Sequence, residues 1–591
     1  MKLVASLLSV PQSDPQPSPI SSPLTWRGVL LFGMASALLL ALAFPKPNLT
    51  FLAWVAPIGW LLLVRAEALP KRAYWLIYLS GCLFWLTVLY GIGKAHWATR
   101  AFGWPVLSGY LAVYIPLFIA LCRPIVHRLQ VPIPIAAPLV WTALEYVRAY
   151  FVTGFSMAQL GHTQVDYLPL IQISSITGAY GVSFLVMLVA SLLLMAVPPW
   201  EAGKADRAQP KPTRQVAWVV AALLVVVGSY VGGQQWLRVE QRYDAENLAQ
   251  QKEAGNRPVQ IGLVQGSIDT VFGDPTQSER TFEQYSQLSD LLVAEHPNLD
   301  LIVWPETTMG PHMVFEVAND FAPPPAWGSS GERAKQSILE TVRGFNYFLH
   351  GLVVNRWRAP LLLGTSVIRY GNQRVDHYNA AIHVGDQGTI VTRYEKTHPV
   401  MFGEYVPFGD WFPFVYDWLP IGGGLTPGKG PIVVDVEGVN LVPCICFENT
   451  VPHLVAGQIR TLNAEGEKVD ALVTLTNDGW FWGTSILDLH LTCARFRAVE
   501  NRRPMLVAAN TGISAAIDAQ GKIGQYAPIR KTSFLVAEVT PTDRPLSFYT
   551  RFGDWFAAGC LLLTLPLVIA GVFFRRGKRE TDPIPEQKPP D

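Results

Sequence analysis

Eight long apolar runs constrain this chain more than any other feature. They cover residues 27–44, 51–66, 73–93, 104–124, 131–150, 176–197, 215–235 and 553–574. A helix needs about 20 mainly apolar residues to cross the hydrocarbon core of a bilayer. Backbone amides in lipid have no water to bond, so each run is expected to be helical. The run at 51–66 is short, and 131–150 contains Glu145 and Arg148. Those two lie three positions apart on one helical face and are expected to pair. Any one run could instead be the buried core helix of a soluble protein. Eight of them in 591 residues argue for a polytopic membrane domain.

The basic residues orient it. Arg65, Lys71 and Arg72 separate the second and third runs, and Arg123 and Arg128 the fourth and fifth. Lys204, Arg207, Lys211 and Arg214 separate the sixth and seventh; Arg575, Arg576, Lys578 and Arg579 follow the eighth. The alternate loops carry fewer. Loops rich in lysine and arginine stay cytoplasmic, so both termini are expected there. The long polar segment between the last two runs is then extracytoplasmic. Val4–Val10 is too short for the core of a cleavable signal, and a Pro/Ser-rich stretch follows it. The expected organisation is a flexible cytoplasmic tail (1–26), seven spans (27–236), a polar domain (237–552), a final span (553–574) and a second cytoplasmic tail (575–591).

Net charge is only +1, which gives no argument for a nucleic-acid partner. Six scattered cysteines make no disulfide scaffold, and no C-x-x-C or H-E-x-x-H stretch suggests a metal. His490 and Cys493 form an H-x-x-C that is expected to be a coincidence of one helical face.

The polar domain alternates β-rich runs with helical stretches. Strands are expected at 259–264, 301–303, 361–367, 380–384, 389–393, 432–436, 441–445, 471–476, 505–509 and 514–518. Helices are expected at 277–295, 329–355 and 488–501. That alternation predicts an α/β layered fold. Three segments place a reactive group where a strand gives way to a loop, where α/β proteins keep their sites. The first is Leu301-Ile302-Val303-Trp304-Pro305-Glu306. The second is Tyr394-Glu395-Lys396, followed by Gly403-Glu404-Tyr405-Val406-Pro407. The third is Pro443-Cys444-Ile445-Cys446-Phe447-Glu448.

These segments resemble the Glu-Lys-Cys signatures of the nitrilase superfamily. With the flanking spans, and with Gly154–Gln159 and Thr476–Phe481, the chain is similar to the apolipoprotein N-acyltransferase family. The resemblance implies an extracytoplasmic nitrilase-like αββα sandwich on a membrane domain of about eight spans, in a bacterial inner membrane with the catalytic domain on the periplasmic side. It implies Glu306, Lys396 and Cys446 as the catalytic triad. Cys446 would take an acyl chain from a membrane phospholipid as a thioester and pass it to the α-amine of a diacylglyceryl-modified cysteine on an apolipoprotein. No metal or organic cofactor is implied.

A free thiol titrates at about 8.5, so it is largely protonated at neutral pH and needs a base. Glu306 would be that base, provided burial raises its carboxyl from about 4.3. Lys396, with the backbone N–H of Phe447, would hold the oxyanion. By resemblance Glu404 orients the lysine, and Glu448 fixes the turn after the nucleophile. Phe447 stands where the family commonly has tyrosine, and Phe272 near where its lid usually has tryptophan. Asn477 and Trp480 are expected to form pocket wall, and Cys444, Cys493 and His398 to serve packing. Met401–Phe402 and Trp411–Trp418 are candidate lids or lipid contacts. Two other readings stay open: a membrane-tethered amidase with water as acceptor, and a non-catalytic lipid-binding or transport scaffold.

Overall fold

The computed structural model describes residues 24–573, apart from 199–211, 272–273, 275, 310–313, 319–320, 324–329, 373, 402, 407–410 and 412–423. Most of the first expected tail, the whole second one, Lys204, Arg207, Lys211, Phe272, Phe402 and 412–418 lie outside the described residues.

The apolar runs are helical. Five helices among the described residues are long and apolar enough to cross a membrane: Trp26–Ala43, Thr99–His127, Ala179–Ala196, Thr213–Glu253 and Trp555–Phe573. The run at 51–66 divides into a 3₁₀ turn, Thr50–Trp54, and a short helix, Ile58–Arg65. The seventh helix does not stop at the end of its apolar run; it continues as a charged helix to Glu253.

The two ends of this helical array differ chemically. At one end arginines bond the free carbonyls that finish helices. Arg65 donates to Val197 O at 2.8 Å, Arg123 to Leu63 O at 2.9 Å, and Arg128 to Val572 O at 2.7 Å. The opposite end meets the polar domain. There Ser485 Oγ donates to Val88 O (3.3 Å), and Trp236, Trp555 and Tyr150 make polar contacts. The loop after helix Ile133–Tyr150 is buried between the two halves. Its Phe155, Met157, Ala158 and Leu160 share one apolar cluster with Ile486, Leu489 and Cys493 of the polar domain.

Glu145 and Arg148 correct an expectation. Both are buried, but no ion pair joins them. Glu145 Oε1 instead accepts from Trp141 Nε1 (3.0 Å) and Leu160 N (2.8 Å), while Arg148 lies over the Trp85 ring. The loop backbone, invisible to a helical-face argument, takes the carboxylate.

Strands are numbered along the chain. The first sheet runs β13 (Ser533–Val539), β1 (Val259–Gln265), β2 (Leu301–Trp304), β4 (Leu361–Gly371), β5 (Arg374–Val384), β6 (Ile390–Glu395), with β3 (Val314–Val317) also on β4. The second runs β12 (Ile523–Tyr526), β11 (Ala515–Ile517), β10 (Met505–Ala509), β9 (Ala471–Thr476), β8 (Val439–Ile445), β7 (Val434–Val436). The period of two in each strand divides the side chains between layers. Val259, Ile261, Leu263, Leu301 and Val303 pack against Leu441, Ile445, Val473 and Leu475 of the other sheet. Ile302 and Trp304 face outward onto helices Gln277–Glu295 and Gly331–His350. Val442 and Cys444 face outward onto helices Pro452–Ala464 and Ser485–Asn501. The result is the αββα sandwich. Pairings β1–β2, β2–β4, β8–β9 and β9–β10 are parallel, so each sheet gathers C-terminal strand ends at one edge, and the Asn477 N–H bond to Glu306 Oε2 (2.9 Å) joins the end of β9 to that of β2.

A buried ion pair ties the halves together. Arg497 Nε lies 2.7 Å from Glu500 Oε2 inside helix Ser485–Asn501, both side chains essentially inaccessible. Glu500 Oε1 accepts from Ala179 N at 2.9 Å and so caps helix Ala179–Ala196. Glu500→Ala leaves a buried guanidinium without its carboxylate, at a cost of about 3–5 kcal/mol. It should lower the thermal midpoint of the detergent-purified protein, and replacing Arg497 and Glu500 together by methionine should recover part of the loss.

Candidate active site

Each reactive side chain stands just past a strand end. β2 stops at Trp304 and Glu306 follows two residues later, where Thr307 takes φ +56°. The neighbouring β4 presses on this turn. A Cβ on Gly364 would fall 2.5 Å from Glu306 Cα and 2.6 Å from Pro305 O, so glycine is required for the approach. β6 ends at Glu395, and the Lys396 N–H is bonded to Asn379 O at 2.8 Å. β8 ends at Ile445, and Cys446 itself has φ +54°, unusual for a residue with a side chain. That turn swings the thiol off the face used by Cys444, which stays buried in the outer layer. Two residues apart in a regular strand the two cysteines would share a face; the turn separates them, Cys444 in the outer layer and Cys446 against the inter-sheet core.

Polar contacts knit these ends together. Lys396 Nζ lies 2.8 Å from Glu404 Oε1 and 3.5 Å from Glu306 Oε1. Asn379 Nδ2 donates to both carboxylates, at 2.7 Å to Glu306 Oε1 and 3.0 Å to Glu404 Oε1. The backbone N–H of Asn477 donates to Glu306 Oε2 at 2.9 Å, and that of Val400 to Glu404 Oε2 at 2.7 Å. Lys396 is only 2% exposed. Burial alone would lower its pKa, but Glu404 and Glu306, with Cys446 adding, raise it above the ordinary lysine value. The stability this gives is complete below about pH 10.4 and is lost only as pH rises through the raised value. Lys396 is thus a fixed cation across the neutral range.

Cys446 is half-buried between these groups. Burial pushes its thiol well above the usual range; Glu306 and Asp478 add to the rise, and Lys396 opposes it. The resting sulfur is protonated.

Glu448 holds the turn that presents it. Its Oε1 accepts from Thr397 N (2.7 Å), Thr397 Oγ1 (2.9 Å) and His398 N (3.0 Å), and its Oε2 from Ile445 N (2.7 Å). The Tyr394 hydroxyl lies 2.9 Å from both oxygens. One carboxylate thereby fastens the lysine segment to the cysteine segment. Phe447 stacks on His398 with ring centroids 6.1 Å apart.

The membrane half and the sandwich match two family models in tandem. The apolipoprotein N-acyltransferase N-terminal domain covers residues 36–192, and the carbon-nitrogen hydrolase domain covers 260–544. Over 554 residues the chain is 32% identical to an apolipoprotein N-acyltransferase of Geobacter metallireducens, covering 92% of this chain and 95% of that one. The chain belongs to the apolipoprotein N-acyltransferase family. Relatives of the same name in Rhodopirellula baltica (29% over 525 residues; 84% and 89% covered) and Haemophilus ducreyi (28% over 560 residues; 91% and 95%) are also similar to it.

In this N-acyltransferase chain the structure brings Glu306, Lys396, Glu404, Cys446 and Asn477 into one cluster, with Glu448 behind it. Trp480 sits in the 3₁₀ turn Asp478–Phe481, one turn beyond Asn477. Sequence reasoning missed Asn379, whose amide bridges both carboxylates; an asparagine inside β5 carries no motif. It also set His490 aside, yet His490 Nδ1 lies 2.9 Å from Asp478 Oδ1.

Because the thiol is raised rather than lowered, labelling of the resting protein by iodoacetamide should keep accelerating past pH 9 without a plateau. Mass spectrometry of the Cys446 peptide against pH checks this.

Proposed function

We propose that this chain transfers a fatty acyl group from a membrane phospholipid to the α-amine of a diacylglyceryl-cysteine at the N-terminus of an apolipoprotein. The observation that carries the reading is the convergence of a carboxylate, an ammonium and a thiol at neighbouring strand ends, on a sandwich docked against apolar helices. Family membership supplies the substrate class.

In this reading Glu306 takes the thiol proton as the sulfur attacks the phospholipid ester. Its position supports the role: Asn379 and the Asn477 N–H bond its two oxygens and hold the carboxylate in one orientation. Attack forms the S–C bond and places negative charge on the former carbonyl oxygen. Lys396, held by Glu404, stabilises that charge, with the backbone N–H of Phe447 as the second donor. Collapse expels the lysophospholipid alcohol, which recovers the proton from Glu306, and leaves a thioester. The lipoprotein amine then attacks the thioester, Glu306 takes its proton, and the N-acyl product leaves with the thiol restored.

The proposed architecture has eight spans, with domains at 27–236, 237–552 and 553–574 and cytoplasmic tails at 1–26 and 575–591. The arginine-rich helix ends opposite the sandwich support a periplasmic catalytic domain in the inner membrane and cytoplasmic termini. Asn477 and Trp480 would line the pocket, and Met401 and Trp411 would serve a lid or meet lipid. Both substrates are held in the bilayer by their own chains, which suits a site that opens to the membrane surface.

Purified protein incubated with phospholipid should carry one acyl chain on Cys446 by intact mass. Adding a diacylated lipopeptide should discharge it as N-acyl product. Cys446→Ala should form no adduct, and Glu306→Gln should lower the acylation rate by about 10²–10⁴-fold. Release of free fatty acid without N-acylation would replace the transferase reading with a hydrolase.

A further inference from the structure

Beside Cys446, at the end of β9, lies a second polar arm that the acyl-transfer reading leaves unused. Thr476, the last residue of β9, stands level with Cys446, one step past the parallel Ile445–Leu475 pairing; its hydroxyl donates to Asp478 Oδ1 at 3.2 Å. The same oxygen is 2.9 Å from His490 Nδ1. Thr476, Asp478 and His490 are 3%, 2% and 6% exposed. Asp478 has little room to move: a Cβ on Gly512 would lie 2.2 Å from its Oδ2, so the chain there approaches as closely as glycine permits. The Asn449 amide, from the turn that carries Cys446, donates to His490 O at 3.3 Å, tying the histidine's helix to the nucleophile's turn.

The Thr476 hydroxyl has one hydrogen and two possible recipients. A carboxylate only accepts, so the hydrogen between Asp478 and His490 belongs to Nδ1. That N–H occupies the oxygen to which Thr476 also donates. With the histidine present, Asp478 holds the threonine hydrogen less strongly and projects less charge toward the sulfur. As charge builds on the sulfur, the hydroxyl can rotate toward it. Without the histidine, Asp478 retains that hydrogen and faces Cys446 with its full charge.

We propose that His490 is a positioning residue for the nucleophile, acting through Asp478 to free the Thr476 hydroxyl for the sulfur as it becomes a thiolate. The charged groups facing the thiol are Glu306 from the end of β2, Lys396 from the end of β6 and Asp478 from the turn after β9; Glu404 acts through Lys396. Glu448, on the thiol's own turn, is turned toward Tyr394 and Thr397. His398 lies beside Phe447. Asp478 is therefore the group through which His490 can act on the sulfur.

The inference rests on Cys446 as nucleophile, but its test does not require acyl transfer. Full-length protein in detergent is labelled with iodoacetamide at fixed pH, and the rate is followed on the Cys446 peptide, with Cys446→Ala as the control for site. His490→Leu and Thr476→Val should each slow labelling by about tenfold, the equivalent of about one unit in thiol pKa. Asp478→Asn, which removes the charge, should accelerate it. His490→Asn, whose amide can donate from near the Nδ1 position, should restore a rate close to that of the unsubstituted protein. A purely structural role would slow or leave unchanged all of these variants together, without the opposite sign for Asp478→Asn. Should His490→Leu fail to fold, Thr476→Val and Asp478→Asn still test the pair by their opposite signs. An unchanged rate in folded His490→Leu or in Thr476→Val, or slower labelling in Asp478→Asn, would overturn the proposal. Failure to find an acyl adduct on Cys446 would instead remove the nucleophile reading, and it is measured separately.

Discussion

An ammonium sealed from water cannot stay charged without nearby negative charge, and Lys396 is the point where this requirement organises the site. Taking an ion from water into a protein interior costs several kcal/mol unless partners replace the lost hydration. Here two carboxylates replace it, Glu404 at 2.8 Å and Glu306 at 3.5 Å, and Asn379 holds those two in place with one amide. Burial and the neighbouring Glu306 favour the protonated sulfur at rest, and Lys396 opposes them.

The rest of the sandwich serves to hold that cluster. Parallel pairing brings β8 and β9 out at the same edge, the Asn477 N–H joins that edge to Glu306 after β2, and Glu448 fastens the segment after β6 to the segment after β8. The strained backbone at Cys446, φ +54°, is the local cost of turning the thiol toward the other sheet's carboxylate. Membrane helices contribute from below. Helix Ser485–Asn501 touches the nucleophile's turn at one face and caps a membrane helix at another, so the site and the lipid-embedded half share one rigid element.

The apolar runs, the strand alternation and the three strand-end motifs were legible because each depends on local periodicity or on short-range residue order. Helix 277–295 matches its expected limits, and β9 and β10 match theirs. Strands β3, β12 and β13 were not anticipated. β13 is placed by its antiparallel partner β1, more than 260 residues away in the chain as Val264 pairs with Phe534, and pairing across that distance leaves no mark in local sequence. Helix Pro452–Ala464 was not anticipated either, although Val455, Ile459 and Leu462 recur at helical spacing on its buried face.

By itself the sequence determined that lipid is one solvent for this chain and water the other, because long apolar runs and alternating polar strands are stable only in those surroundings. It also determined which carboxylate, lysine and cysteine stand at strand ends. Tertiary structure decided what those groups meet. Asn379 became a bridge, Glu145 bonded a loop backbone instead of Arg148, and His490 found Asp478. Hydrogen bonds act over about 3 Å of space regardless of separation along the chain, so such partners emerge only once the two sheets and the helical array have packed.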